Sequence, residues 1–90
     1  MWTSGYPWPQ NGEIDIIEGV NLMTNNQMAI HTASGCTKSN VSTQTGTTGV
    51  TDCSQSAGCT VSETKANSYG SSFAQSGGGV FAAQFDATGI

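Results

Sequence analysis

From Glu13 to Val20 the chain reads Glu-Ile-Asp-Ile-Ile-Glu-Gly-Val, and its apolar positions are all β-branched. Such side chains suit a pleated, half-buried surface, so the run predicts a strand. Residues Asn21 to Asn26 carry turn formers at both ends. Gln27-Met28-Ala29-Ile30-His31-Thr32 then follows, with polar Gln27 and His31 bracketing Met28 and Ile30. A second strand returning beside the first, as a hairpin, is the expected arrangement. Gly77-Gly78-Gly79 opens another apolar stretch, Val80-Phe81-Ala82-Ala83-Gln84-Phe85, which predicts a further strand. No amphipathic helix of useful length is visible, so the pattern predicts an all-β, antiparallel chain.

The remaining segments are polar or special in composition. Residues Trp2 to Asn11 hold both prolines and both tryptophans, which suits a rigid, aromatic-lined loop. Between Ala33 and Asn67 a Ser/Thr/Gly tract has few apolar anchors beyond Val41, Val50 and Val61, and a long loop pinned by cysteines is expected. Low complexity favours disorder there, whereas cross-links favour an ordered surface excursion, and the residues leave both open.

Composition narrows the class. With 36% hydrophobic residues and 12 glycines in 90 positions, little apolar material is available to bury. All-β sandwiches usually need about 200–250 residues as one unit. Residues 1–90 are therefore expected to be a fragment, truncated at both ends, of a larger domain. Two basic residues, Lys38 and Lys65, stand against six carboxylates for a net charge of −4, so the clustered cations that bind phosphate are missing. No nucleic acid and no membrane are expected as partners. Cys36, Cys53 and Cys59 lie in Gly/Ser/Thr-rich surroundings, which favours disulfides in an oxidising, extracellular compartment. Three is odd, so one thiol is free or pairs outside these residues. Asn40-Val41-Ser42 is also a glycosylation sequon.

The concentration of Glu13, Asp15 and Glu18 within six residues needs a cause, because like charges on one strand face repel. A solvated edge strand is the bland alternative, although edges are more often protected by lysine. Side chains alternate along a strand, so Glu13 and Asp15 share a face and Glu18 falls on the other. One β-bulge at Ile16-Ile17 would return Glu18 to the first face. The two glutamates would then stand ~13 Å apart at Cα, with inward-reaching carboxyls roughly 5–6 Å apart, the separation a retaining glycosidase uses. Asp15 between them can hydrogen-bond Glu13 and share a proton with it, and the cluster titrates as a coupled unit. Clustering raises the pKa of at least one member, which allows Glu18 to donate a proton to the leaving oxygen while Glu13 attacks. A metal site is not expected, since one strand offers too few oxygen ligands.

Trp8-Pro9-Gln10-Asn11-Gly12-Glu13-Ile14-Asp15-Ile16-Ile17-Glu18-Gly19-Val20-Asn21 closely resembles the signature of glycoside hydrolase family 16, in its fungal, laminarinase-like endo-β-1,3(4)-glucanase branch. His31-Thr32, Gly35-Cys36, Gly58-Cys59, Tyr69-Gly70 and Gly77-Gly78-Gly79 are similar to that branch too, so the likeness spans nearly the whole chain. It implies a concanavalin A-like β-jelly-roll sandwich with a concave substrate cleft. It further implies a secreted, retaining endo-β-1,3(4)-glucanase that cuts internal bonds of laminarin- or lichenan-type β-glucans by double displacement. Glu13 would be the nucleophile, Asp15 its assisting carboxylate and Glu18 the acid/base. Trp2, Trp8, Asn21 and His31 would be substrate-binding residues, the tryptophans stacking on sugar faces. A strand histidine is as often simply hydrogen-bonded packing, and either tryptophan could belong to a core. The expected partner is the polysaccharide, with no cofactor, and the protein is expected to be a monomer. A silent β-glucan-binding lectin and a transglycosylase on the same fold are the alternatives. Ala83-Gln84 and Ala74 depart from the branch's usual Met-Glu and Asn, which touches fine specificity and not the carboxylates.

Overall fold

The computed structural model describes residues 1–90. Five strands form one antiparallel sheet: β1 (Trp2–Ser4), β2 (Glu13–Glu18), β3 (Gln27–His31), β4 (Thr47–Thr48) and β5 (Cys59–Ser62). Their spatial order is β1-β2-β3-β5-β4, and every neighbouring pair is antiparallel. The hairpin expected from the apolar run is present, because β2 pairs with β3 across the Asn21–Asn26 turn. Asn21 takes a left-handed conformation, φ 51°, which asparagine tolerates better than most residues.

Register assigns the faces of the sheet. Trp2, Asp15, Ala29 and Thr60 lie in one cross-strand row, and Ser4, Glu13 and His31 lie in another on the same side. Thr3, Ile14, Ile30 and Cys59 make a row on the opposite side, as do Met28 and Val61. One face is thus polar and aromatic, the other apolar, as period-2 alternation requires. Eight of 90 residues are buried, four of them polar: Asp15, Asn26, His31 and Thr60. What lies deepest is therefore the polar layer. The apolar face has only partial cover, with Ile30 still 36% exposed.

The sequence-based expectations differ from the structure in three places. The Ala33–Asn67 tract is ordered and holds β4, β5 and a bridge between Thr37 and Asp52, because β3 offers it a free edge to pair with. A disulfide joins Cys53 to Cys59, and Cys36 remains a free, exposed thiol. Val80–Phe85 forms no strand, since no neighbouring edge reaches it; Val80 and Phe85 are exposed, and the one bridge nearby links Asp86 to Gly89. A β-prone run becomes a strand only where a partner completes its hydrogen bonds. The third difference is a six-residue helix, α1 (Gly70–Gln75), too short to show as a period in sequence. The tail of α1 is closed by Gly77 and Gly78, both at positive φ, with the Gly78 N–H donating to the Phe73 carbonyl.

The Trp2–Asn11 segment begins as strand β1 and continues as a tied loop. The Gly5 N–H donates to the Gly12 carbonyl, and the Asn11 N–H to the Pro7 carbonyl. A Cβ on Gly5 would lie 2.6 Å from the Asn11 Cβ, so the two limbs of this loop meet where only glycine fits.

Candidate active site

Strand β2 carries an irregularity at the place the charge pattern requires. Asp15 stands opposite Ala29 and Glu18 opposite Gln27, so three steps on β2 span two on β3. Ile16 and Ile17 together face Met28, which is a β-bulge. His31, Ala29 and Gln27 alternate along β3 on one face, so their partners Glu13, Asp15 and Glu18 share that face as well. All three carboxylates line one groove of about 360 Å³, together with Met1, Trp2, Ile17 and Gly19.

Hydrogen bonds fix the bulge from both sides. Toward β1, the Ile16 and Ile17 N–H groups both donate to the Met1 carbonyl, at 2.9 and 3.1 Å. Toward β3, the buried Asn26 side chain accepts from the Glu18 N–H at 2.9 Å and donates to the Ile16 carbonyl at 2.9 Å. Asn26 is a residue that sequence reasoning passed over as a turn former. Its position just before β3 was visible, but nothing in a linear pattern says that its amide faces the bulge.

Asp15 sits at the centre, 5% exposed, with its Oδ2 3.2 Å from the His31 Nε2. Burial, then the charges of Glu18 and Glu13, raise the Asp15 carboxyl above its ordinary range, while His31 acts in the opposite direction. The contact with His31 is close but not aligned as a hydrogen bond, and the His31 Nδ1 has no partner either. His31 is itself buried, 9% exposed, and stands directly across from Glu13. Expected from sequence among the substrate-binding residues, it lies against the carboxylates, with the Asp15 Oδ2 3.2 Å from its Nε2.

Two further residues hold His31 in place. The Trp8 ring packs against it, centroids 5.8 Å apart and tilted by 48°. Gly58, at φ +67°, abuts its other surroundings: a Cβ there would lie 2.7 Å from the Ile30 carbonyl oxygen and 3.1 Å from the His31 Nδ1. The Cys53–Cys59 disulfide closes the turn that presents Gly58, and the Thr32 N–H donates to the Cys53 carbonyl at 3.0 Å. Gly58 was legible in sequence only as part of a resemblance.

The other sequence-derived positions fall as follows. Trp2 lines the groove with the carboxylates and is 65% exposed, and Trp8 is 51% exposed over His31, so both tryptophans stand open on the functional side and neither is core. Asn21 is exposed on the turn after β2 and is not among the residues lining that groove. Tyr69-Gly70 packs against the hairpin connection: a Cβ on Gly19 would meet the Tyr69 hydroxyl, and one on Gly70 would meet the Met23 carbonyl. Glu13, Asp15 and His31 bring one potential metal-ligand atom each within 4.8 Å of one another. Three ligands from two strands is a richer set than one strand offers, although Glu18, the fourth group in the groove, lies outside it.

The chain that carries this groove is matched among known proteins. The family described as "XgeA-like, catalytic GH16 domain" fits the chain over residues 1–90. The chain belongs to glycoside hydrolase family 16. A probable glycosidase of Schizosaccharomyces pombe is 44% identical over 97 residues, covering 100% of this chain and 23% of that protein. A probable endo-1,3(4)-beta-glucanase of Aspergillus fumigatus is 42% identical over 93 residues, covering 100% of this chain and 14% of its own length. The chain thus spans less than a quarter of these relatives. Among solved structures, an elongating family 16 beta-1,3-glucosyltransferase superposes with TM-score 0.76 at 49% identity, covering 87% of this chain and 27% of that one. Laminarinase 16A from Phanerochaete chrysosporium, with 6-O-glucosyl-laminaritriose in donor and acceptor sites, gives 0.77 at 41% identity, with 87% and 28% covered. The sheet is accordingly a piece of the jelly-roll fold of the family 16 laminarinases. The disulfide stands within it, and no helix is long and apolar enough to cross a membrane.

Proposed function

We propose that residues 1–90 are the catalytic part of a larger family 16 domain, and that the whole protein is a secreted, retaining endo-β-1,3(4)-glucanase. The observation that carries this reading is the bulge at Ile16-Ile17, which puts Glu13, Asp15 and Glu18 on one face of one groove. The partly uncovered apolar face supports the larger domain, since a second sheet would bury it. The Cys53–Cys59 disulfide and the exposed sequon residue Asn40 support secretion. The names of the relatives support a β-glucan as substrate.

In the proposed double displacement, Glu18 gives its proton to the glycosidic oxygen as the Glu13 carboxylate attacks the anomeric carbon. The C–O bond to the leaving sugar breaks and a glycosyl-Glu13 ester forms. Glu18, now a carboxylate, takes a proton from water, whose oxygen displaces Glu13 and restores both groups. Asp15, whose carboxyl is held above its ordinary range by burial and by the charges of Glu18 and Glu13, titrates as one unit with Glu13 and steadies that carboxylate as its charge changes. His31 packs its imidazole against Asp15, and Trp2 and Trp8 offer exposed rings to glucosyl C–H faces.

Two inversions give net retention. Proton NMR of the first products of the full-length enzyme on laminarin is expected to show the β-anomer before mutarotation, and a mechanism-based fluoroglycoside is expected to label Glu13. An α-anomer appearing first would overturn the nucleophile assignment, because a water would then stand between carboxylate and sugar. A second reading has its own support, because a glucosyltransferase is similar at 49% identity. There the glycosyl-Glu13 ester is resolved by a sugar hydroxyl in place of water. Product lengths with and without added oligosaccharide separate the two.

A further inference from the structure

We propose that Asn26 is the positioning residue for Glu18, holding the bulge that aims the acid/base at the groove; this rests on the reading of Glu18 given above. A bulge takes two adjacent backbone groups out of the β2–β3 ladder, here the Ile16 carbonyl and the Glu18 N–H. Left unpaired in a half-buried strand, each would disfavour the bulge relative to a regular ladder. The Asn26 amide satisfies both at 2.9 Å, the oxygen accepting from Glu18 and the nitrogen donating to Ile16, so it takes the place of the missing peptide. A primary amide offers a donor and an acceptor side by side whatever the pH, and the donor and acceptor on β2 leave no freedom to flip it.

Asn26 is also anchored independently of the bulge. It is 2% exposed, and its own carbonyl accepts from the Glu63 N–H at 2.9 Å. The adjacent Asn25 amide donates to the Glu63 carbonyl at 2.8 Å. The start of β3 is thereby tied to the chain just beyond β5, and the side chain reaches the bulge from a fixed base. Asn26 reaches the groove-lining Glu18 only through its backbone N–H and does not itself line the groove, so it acts through Glu18 and does not meet substrate.

The test uses the full-length enzyme with Asn26→Asp, which keeps the shape and one acceptor but loses the donor to Ile16, and Asn26→Ala, which loses both bonds. Each is compared with Glu18→Gln on a β-glucan and on an aryl β-glucoside whose leaving group needs no protonation. The expected result is a fall in kcat on the glucan of up to about 10²-fold, the size of effect that follows a misplaced catalytic group. Activity on the aryl substrate, KM on the glucan and the far-ultraviolet spectrum should be largely kept. Equal losses on both substrates would mean a merely structural role and overturn the proposal. If Glu18→Gln itself shows no preference for the aryl substrate, the acid assignment fails and the role of Asn26 fails with it. A third variant guards against misfolding. Deleting Ile17 restores a regular ladder with the glutamate still on the catalytic face, so Asn26→Ala should cost little in that background. A cost as large as in the parent would overturn the proposal, as would rapid hydrogen exchange of the Glu18 amide in the unaltered enzyme.

Discussion

Asp15 at the centre of β2 and Asp86 in the turn near the end of the chain carry the same side chain in opposite surroundings. Asp86 is exposed and accepts from the Thr88 N–H at 2.7 Å, the Thr88 hydroxyl at 2.5 Å and the Gln84 amide at 2.6 Å, which lowers its pKa to about 2. Asp52, fed by Ser54, and Glu63, fed by the Thr64 and Lys65 N–H groups, are lowered for the same reason. Asp15 has burial and two carboxylates against it and one misaligned imidazole in its favour, and it is raised. The turn acids are placed where the backbone satisfies them, whereas the strand acid is placed where ionisation is resisted. Structural acids settle a turn; the central one stores unfavourable interaction at the site of chemistry.

The largest expected effect comes from the groove. Glu18→Gln in the full-length enzyme should lower kcat on β-glucan by ~10²–10⁴-fold, the usual contribution of a general acid, and spare an activated aryl glycoside. Steady-state rates on the two substrates decide it, and equal losses would remove Glu18 from that role.

Asp15→Asn sharpens the contrast most directly. Activity should fall by roughly 10–100-fold, equivalent to about 1.4–2.7 kcal/mol of transition-state stabilisation, and the acid limb of the pH profile should move. Stability should change the other way. A carboxyl whose folded pKa is raised binds its proton more tightly in the folded state, so its contribution is fully present below the ordinary value of 3.8 and is lost as pH rises through the folded value. The variant lacks that loss, so its Tm relative to the parent should rise between acid and neutral pH. A Tm difference independent of pH would show that Asp15 is not resisted by its neighbours.

Gly58→Ala tests the seat of the one imidazole in the cluster. A left-handed residue with a Cβ costs about 1–2 kcal/mol, and here the Cβ also meets the Ile30 carbonyl and His31. The free energy of unfolding from denaturant titration should fall by that amount, with a smaller loss of activity than Asp15→Asn. The smallest effect is expected at Asp86→Asn, which should leave kcat unchanged and lower Tm slightly at neutral pH. Its sign with pH is opposite to that of Asp15. A depressed pKa contributes stability above 3.8 that is lost as pH falls toward about 2, so the variant and parent should converge in acid.

The sequence by itself determined more of the site than of the fold. Three carboxylates among isoleucines, spaced so that alternation fails by one residue, already required a bulge at Ile16-Ile17, because a strand's period of two leaves no other way to bring Glu18 beside Glu13. The hairpin was legible from two β-prone runs joined by a segment with turn formers at both ends. Tertiary structure decided whatever depends on a partner distant in sequence. Val80–Phe85 has the composition of a strand and no edge to join, while the plain Ser/Thr tract supplies β5 because β3 stood open. Asn26, Gly58 and the aim of His31 were hidden because each acts through a contact with a residue up to 28 positions away, such as the turn at Gly58 against Ile30. Local pattern records which face a side chain takes; what stands opposite that face is fixed only when the strands come together.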